Sequence, residues 1–244
     1  MRFLLSLQQD AKLFIYIHAL LMLFRCAFLV IYSGQLGNAG AEDVAEALWL
    51  GARISLKTTA FLVGFPFVFG TIPYALWKKW PAGGIRKILG SVAVGLMTLL
   101  FMVRIPYYEI FHQGFNIMLF NGMKDDRMAI WQTAVQQYQL WPRLFGALAL
   151  MAFFIWGLIK FLETPVYYPR HHVRILDMAA VVMVPVFAVF CRFGGAFHSD
   201  SGVPWESAAR THYTVLNEAV LDDGQAMYLS LIHISEPTRP ISIS

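Results

Sequence analysis

Five stretches of the chain, over residues 13–32, 58–77, 88–108, 144–162 and 176–193, are apolar and long enough to cross a bilayer. About 20 apolar residues in a helix, rising about 1.5 Å each, cover the roughly 30 Å hydrocarbon core. A soluble fold would need polar residues to cover its surface, and only 14% of this chain is charged against 58% hydrophobic. Buried helices of a soluble core rarely stay apolar over such lengths. The expected fold class is therefore all-α: a polytopic membrane protein with five transmembrane helices.

Charge sets the expected orientation. Ala39-Gly40-Ala41 after the first stretch suggests a signal-peptide cleavage site, but the apolar run is long for one and contains His18 and Arg25, which favours an uncleaved anchor. Arg2, Lys12, Lys78, Lys79, Arg86, Lys87, Lys160, Arg170 and Arg174 fall on one side, in short connections. Basic residues in short loops mark the cytoplasmic face, so the N-terminus is expected inside and everything after Phe193 outside. Both cysteines, Cys26 and Cys191, lie within spans and indicate no disulfide framework. The net charge of +4 reads as topology and contact with anionic lipid. No basic run suits nucleic acid.

Two outer-loop segments have helical periodicity. Glu42–Ile54 puts Val44, Ala45, Leu48, Trp49 and Ala52 on one face, and Asp125–Trp141 does the same with Met128, Trp131, Ala134, Val135 and Tyr138. Trp and Tyr favour the headgroup zone, so both are expected as interfacial helices. The alternative is short loop helices in water.

The basic residues in the outer half of the spans are the main functional signal. Arg25, Lys57, Arg104, Arg143 and Arg192 recur once per span, against the inside bias elsewhere. Arg25 costs roughly 3 kcal/mol to insert, and no carboxylate is evident at its depth. Glu109, five residues from Arg104, points elsewhere on the same helix. Either these side chains snorkel to headgroups, or they converge on an anionic phospholipid headgroup. The second alternative gives a candidate lipid site of Arg25, Arg104, Tyr107, Tyr108, Glu109, His112 and Asn116. His171-His172, His198-x-Asp200 and the Glu218, Asp222, Asp223 group lack the ligand spacing of a metal site, so no metal or catalytic residue is assigned.

The run Pro106-Tyr107-Tyr108-Glu109-Ile110-Phe111-His112-Gln113-Gly114-Phe115-Asn116, continuing through Asn121-Gly122-Met123-Lys124-Asp125-Asp126, resembles the membrane domain of the lipoteichoic acid synthase family of sulfatase-like proteins. So do Trp205-Glu206-Ser207-Ala208-Ala209 and Leu216 to Tyr228, which includes Leu221-Asp222-Asp223-Gly224-Gln225. The resemblance implies five membrane helices at the bacterial inner membrane, followed by an extracytoplasmic catalytic domain. That domain would use a threonine nucleophile and a divalent metal, often manganese. It would move glycerol phosphate from phosphatidylglycerol to a cell-envelope acceptor. On this basis residues 1–195 are expected to be the membrane domain and 196–228 a linker to a catalytic domain that this chain lacks. The expected tail, 229–244, is disordered and resembles a translated sequencing adapter. The chain would then hold no cofactor and have no activity alone. The competing function is that of a standalone membrane protein, such as a small transporter subunit or assembly factor.

Overall fold

The computed structural model describes residues 2–115, 140–167, 173–203 and 212–235, and among these every regular element is helical. Helix α1 spans Arg2–Ile31 and α2 spans Ala41–Pro66. A π-turn over Phe67–Thr71 joins α2 to α3, Ile72–Leu76. Then come α4, Ala82–Phe111, α5, Leu140–Glu163, and α6, Val173–Arg192. Two short helices follow: α7, Thr214–Val220, and α8, Asp223–Ser235. Among the described residues, five helices are long and apolar enough to cross a membrane, with α2, the π-turn and α3 acting as one.

Helix α1 lies at the centre of the bundle and packs against α2, α4, α5 and α6. Its buried residues Leu13, Ile17, Leu20, Leu21, Phe24 and Phe28 recur at three- and four-residue steps, forming one stripe. Phe24 stacks on Phe101 of α4 at 4.4 Å between ring centroids. The outward faces, such as Ile15, Phe61, Val92 and Val182, stay exposed and apolar, as lipid-facing surfaces must.

Helix direction alternates, so the bundle has two ends. The near end gathers the starts of α1, α4 and α6 with the end of α5: Lys12 meets Thr164, the Leu4 N–H meets Asp177, and Lys87 meets Glu163. The far end gathers the start of α2, the ends of α1, α4 and α6, and the α7–α8 segment.

Two expectations need correction. Residues 42–54 form no separate interfacial helix: they are the first turns of α2, which runs unbroken into the span. Nothing between Ile54 and Thr58 stops a helix, since neither Gly nor Pro intervenes. The continuous helix of 36 residues is about 54 Å long, so it projects beyond the bilayer core or tilts within it. The second difference is at the end and concerns residues 229–235 alone: α8 continues past Tyr228 to Ser235, while the rest of the expected tail, 236–244, lies outside the described residues. Ser230 of α8 is buried and donates to the Phe115 carbonyl at 2.5 Å. The segment 125–139 lies outside the described residues.

Candidate functional site

After α6 ends, the chain comes back into the far end of the bundle. Gly194 and Gly195 turn it, with positive φ of 63° and 80°, a region only glycine enters freely. Arg53 of α2 donates to the carbonyls of Gly194 and Ser201 at 2.7 and 2.8 Å, and Lys57 donates to that of Val203 at 2.6 Å. Helices α7 and α8 then pack on α2, α1 and α4.

A helix ends with four carbonyls that lack intrahelical donors. At the end of α7 two arginines serve as those donors. Arg25 donates from Nε to Ala219 O at 2.7 Å and from Nη2 to Val220 O at 3.1 Å. Arg104 donates from Nη2 to Glu218 O at 2.6 Å and from Nη1 to Leu221 O at 3.4 Å. Cations also suit the negative end of a helix dipole. One residue further on, Asp222 caps the start of α8: its Oδ1 accepts the Gln225 N–H at 3.0 Å. This is the S/T/D-x-x-E/Q spacing of a capping residue and its partner at the third helical position.

The two carboxylates also supply counter-charge. Asp223 pairs with Arg104 at 2.8 Å. Asp222 is linked to Arg25 through Ser55, whose hydroxyl accepts from Arg25 Nη2 at 2.8 Å and donates to Asp222 Oδ2 at 3.1 Å. Thr58 donates to the same oxygen at 2.8 Å and accepts from Gln225 at 2.9 Å. Arg104 further lies over the Phe28 ring, 4.1 Å from its centroid. All four charged side chains are at least nine-tenths buried. Burial pushes the Asp223 carboxyl above the usual carboxylate range, against the pull of Arg104. Glu218 is raised by the same cause, opposed by Arg104 and by a bond from the Gly114 N–H.

The premise that no carboxylate reaches the depth of Arg25 and Arg104 is thus overturned. Their counter-charges come from Asp222 and Asp223, well over a hundred positions later in the chain. The space between them, lined by Leu21, Phe24, Leu221 and the four charged residues, is about 10 Å³. That is room for roughly one water and far too small for a lipid phosphate.

Comparison with family models, with curated proteins and with solved structures returns no match.

The other candidate residues divide between core and rim. Tyr107 is buried against Phe111 and Phe115. Tyr108 is buried edge-on to Phe28 and Tyr32, with its hydroxyl 3.4 Å from Gln35. Glu109 and His112 are exposed; Glu109 lies 3.6 Å from Arg143, and His112 ends α4 at a positive φ of 51°. Asn116 lies outside the described residues, as does His171-His172. His198 and Asp200 are an exposed pair at 3.4 Å, and among the described residues no group of three potential ligands could hold a metal.

Sequence reasoning also missed a polar cluster at the near end. Arg86 of α4 pairs with Asp10 of α1 at 2.6 Å, and both are about 5% exposed or less. Arg86 also donates to Ser6 and Thr71, and the Thr71 hydroxyl bonds Asp10. The available signal was the four-residue step from Ser6 to Asp10, which puts two polar groups on one face of α1.

Proposed function

We propose that this chain is the membrane-anchoring and lipid-positioning part of a sulfatase-like phosphoglycerol transferase, which moves glycerol phosphate from phosphatidylglycerol to a cell-envelope acceptor. Its place would be the bacterial inner membrane, N-terminus cytoplasmic and C-terminus extracytoplasmic. The observation that carries the reading is the return of α7–α8 to the bundle and its fixation there by Arg25 and Arg104. A domain acting on lipid headgroups has to be held at a set height and orientation over the membrane, and a mount fixed by charge-assisted bonds to three spans provides that. A free linker would not.

In this reading the arginines hold the protein's own chain, and contact with donor lipid falls to the exposed rim, where Arg143, Glu109 and His112 leave the bundle. The resemblance of Leu221-Asp222-Asp223-Gly224-Gln225 to the family supports the assignment. The divalent metal, manganese in this reading, belongs to a catalytic domain downstream.

The test uses the complete natural reading frame that contains this segment. Purified with manganese, it should transfer labelled glycerol phosphate from phosphatidylglycerol, whereas residues 1–244 alone should not. Arg104→Ala in the complete protein should lower turnover while protein level and topology are kept. A reading frame that stops after Tyr228 in independent clones would sink the proposal, as would a complete protein without metal-dependent turnover.

A further inference from the structure

At the near end, α3 and α4 are joined by Trp77-Lys78-Lys79-Trp80. All four side chains are exposed, Trp77 at 62% and Trp80 at 41%. The turn is nevertheless firmly held. The Trp77 N–H donates to Pro73 O at 2.7 Å, the Trp80 N–H to Trp77 O at 3.1 Å, and the Ala82 N–H to Trp80 O at 2.9 Å. The Trp80 indole N–H donates to Phe69 O at 2.8 Å. Pro73, four positions on from Phe69, has no N–H to compete for that carbonyl. Phe69 belongs to the π-turn, and the π-turn is tied through Thr71 to Asp10 and Arg86. Two lysines are thus displayed on a turn anchored to the core.

Four other near-end cations are already engaged, whereas Arg2 and Arg174 stay exposed. Lys12 donates to the carbonyls of Thr164 and Pro165, Arg86 pairs with Asp10, and Lys87 and Lys160 share Glu163. Lys78 and Lys79 have no protein partner among the described residues. Indoles settle at the headgroup level, and lysines beside that level attract anionic lipid.

We propose that the Trp77–Trp80 turn is a binding site for the phosphate-bearing headgroup of an anionic phospholipid in the near-end leaflet. The two indoles set the depth, and the two ammonium groups supply the counter-charge. Because the turn is already ordered, little conformational freedom is lost on binding. The site lies at the opposite end from Arg25 and Arg104 and does not depend on the transferase reading.

The test is native mass spectrometry of the full chain released from nanodiscs of phosphatidylcholine with a minority of phosphatidylglycerol. Wild type should retain phosphatidylglycerol in preference to phosphatidylcholine. Lys78→Gln with Lys79→Gln should lower that preference by about fivefold per lysine. Trp80→Phe keeps both charges but loses the bond to Phe69, and it should also lower the preference. Lys160→Gln, whose ammonium is occupied by Glu163, should leave it unchanged. An unchanged preference in the double-lysine variant, at wild-type helicity and elution volume, would overturn the site. So would an equal loss in Lys160→Gln, which would point to general surface charge. Displacement of the lipid by inorganic phosphate would assign the site to a soluble anion and overturn it too. Transferase activity is not read in this experiment, so failure here leaves that proposal standing.

Discussion

Gly51 of α2 is where a single added methyl group should release α7–α8. The Arg25 side chain crosses the helix at this point. A Cβ at Gly51 would sit 2.5 Å from Arg25 Cζ and closer still to its Nε, well inside van der Waals contact. Arg25 cannot move aside and keep its bonds to Ala219 O, Val220 O and Ser55 Oγ. Bonds to a charged group contribute about 1.5–3 kcal/mol each, but these three act as a unit and do not add. Losing one partner of a buried charged pair costs about 3–5 kcal/mol. Alanine in a helix returns about 1 kcal/mol over glycine. The net loss in Gly51→Ala is roughly 2–4 kcal/mol, a shift in the docking equilibrium of about 30- to 1000-fold. Gly64 of the same helix is the control, because a Cβ there meets nothing within 4 Å; Gly64→Ala should be neutral or stabilising by up to about 1 kcal/mol. Spin labels at the exposed positions Leu231 and Phe61 would report docking. One narrow distance distribution is expected for wild type and Gly64→Ala, and a broad or shifted one for Gly51→Ala. Identical distributions in all three would refute the claim that Arg25 holds the segment.

Other outcomes follow from the same geometry. Arg104→Lys can still reach Asp223 but cannot also serve Glu218 O, so docking should weaken by about 1.5–3 kcal/mol; the same label pair reads this, and wild-type docking would contradict it. At the near end, Asp10→Ala strands the Arg86 guanidinium and should cost about 3–5 kcal/mol in thermal stability, while adding Arg86→Met should recover most of it. No recovery in the double variant would show that the loss does not come from the stranded charge. For Asp223 and Glu218 the folded carboxyl is raised above its ordinary value, so the folded state binds protons more readily. Their contribution to stability is full below the ordinary carboxylate range and is lost as pH rises through the raised value. Acidification from about pH 7 to about pH 5 should therefore keep α7–α8 docked or tighten it, and release on acidification would show the opposite sign.

The spans were legible in the sequence because lipid imposes a length and polarity on each crossing that local composition reveals. The continuity of α2 was nearly legible too: the periodic face of Glu42–Ile54 meets the next span without a breaker, and only the expectation of an interfacial helix divided them. Arg25 and Arg104 were rightly singled out as charges needing a partner. What sequence could not supply was the partner, since Asp222 and Asp223 lie beyond the last span and look like linker residues. Pairing of Arg104 with Asp223 is a tertiary event, and no local pattern encodes it. The five far-end cations are not one pocket either. Arg53, unremarkable by position, joins Lys57, Arg25 and Arg104 in holding carbonyls of the returning chain, whereas Arg143 and Arg192 stay at the surface. Arg86 was hidden for the opposite reason, because a basic residue near a short loop is explained by topology before its burial is known.

The distance along the chain between the arginines and their aspartates has a consequence for biogenesis. Arg104 and Asp223 are 119 positions apart, and Arg25 precedes the Val220 carbonyl by 195. At synthesis rates of about 5–20 residues per second, the Asp223 codon is translated about 6–24 s after that of Arg104, and the wait for Arg25 is longer still. During that interval two guanidiniums sit in a half-built bundle without counter-charge, and water, lipid phosphate or the insertion machinery has to stabilise them. Arrival of the α7–α8 turn ends this state. Closure of the bundle is therefore timed by an element made after all five spans, and a chain stopped before Asp222 would keep both charges exposed to quality control.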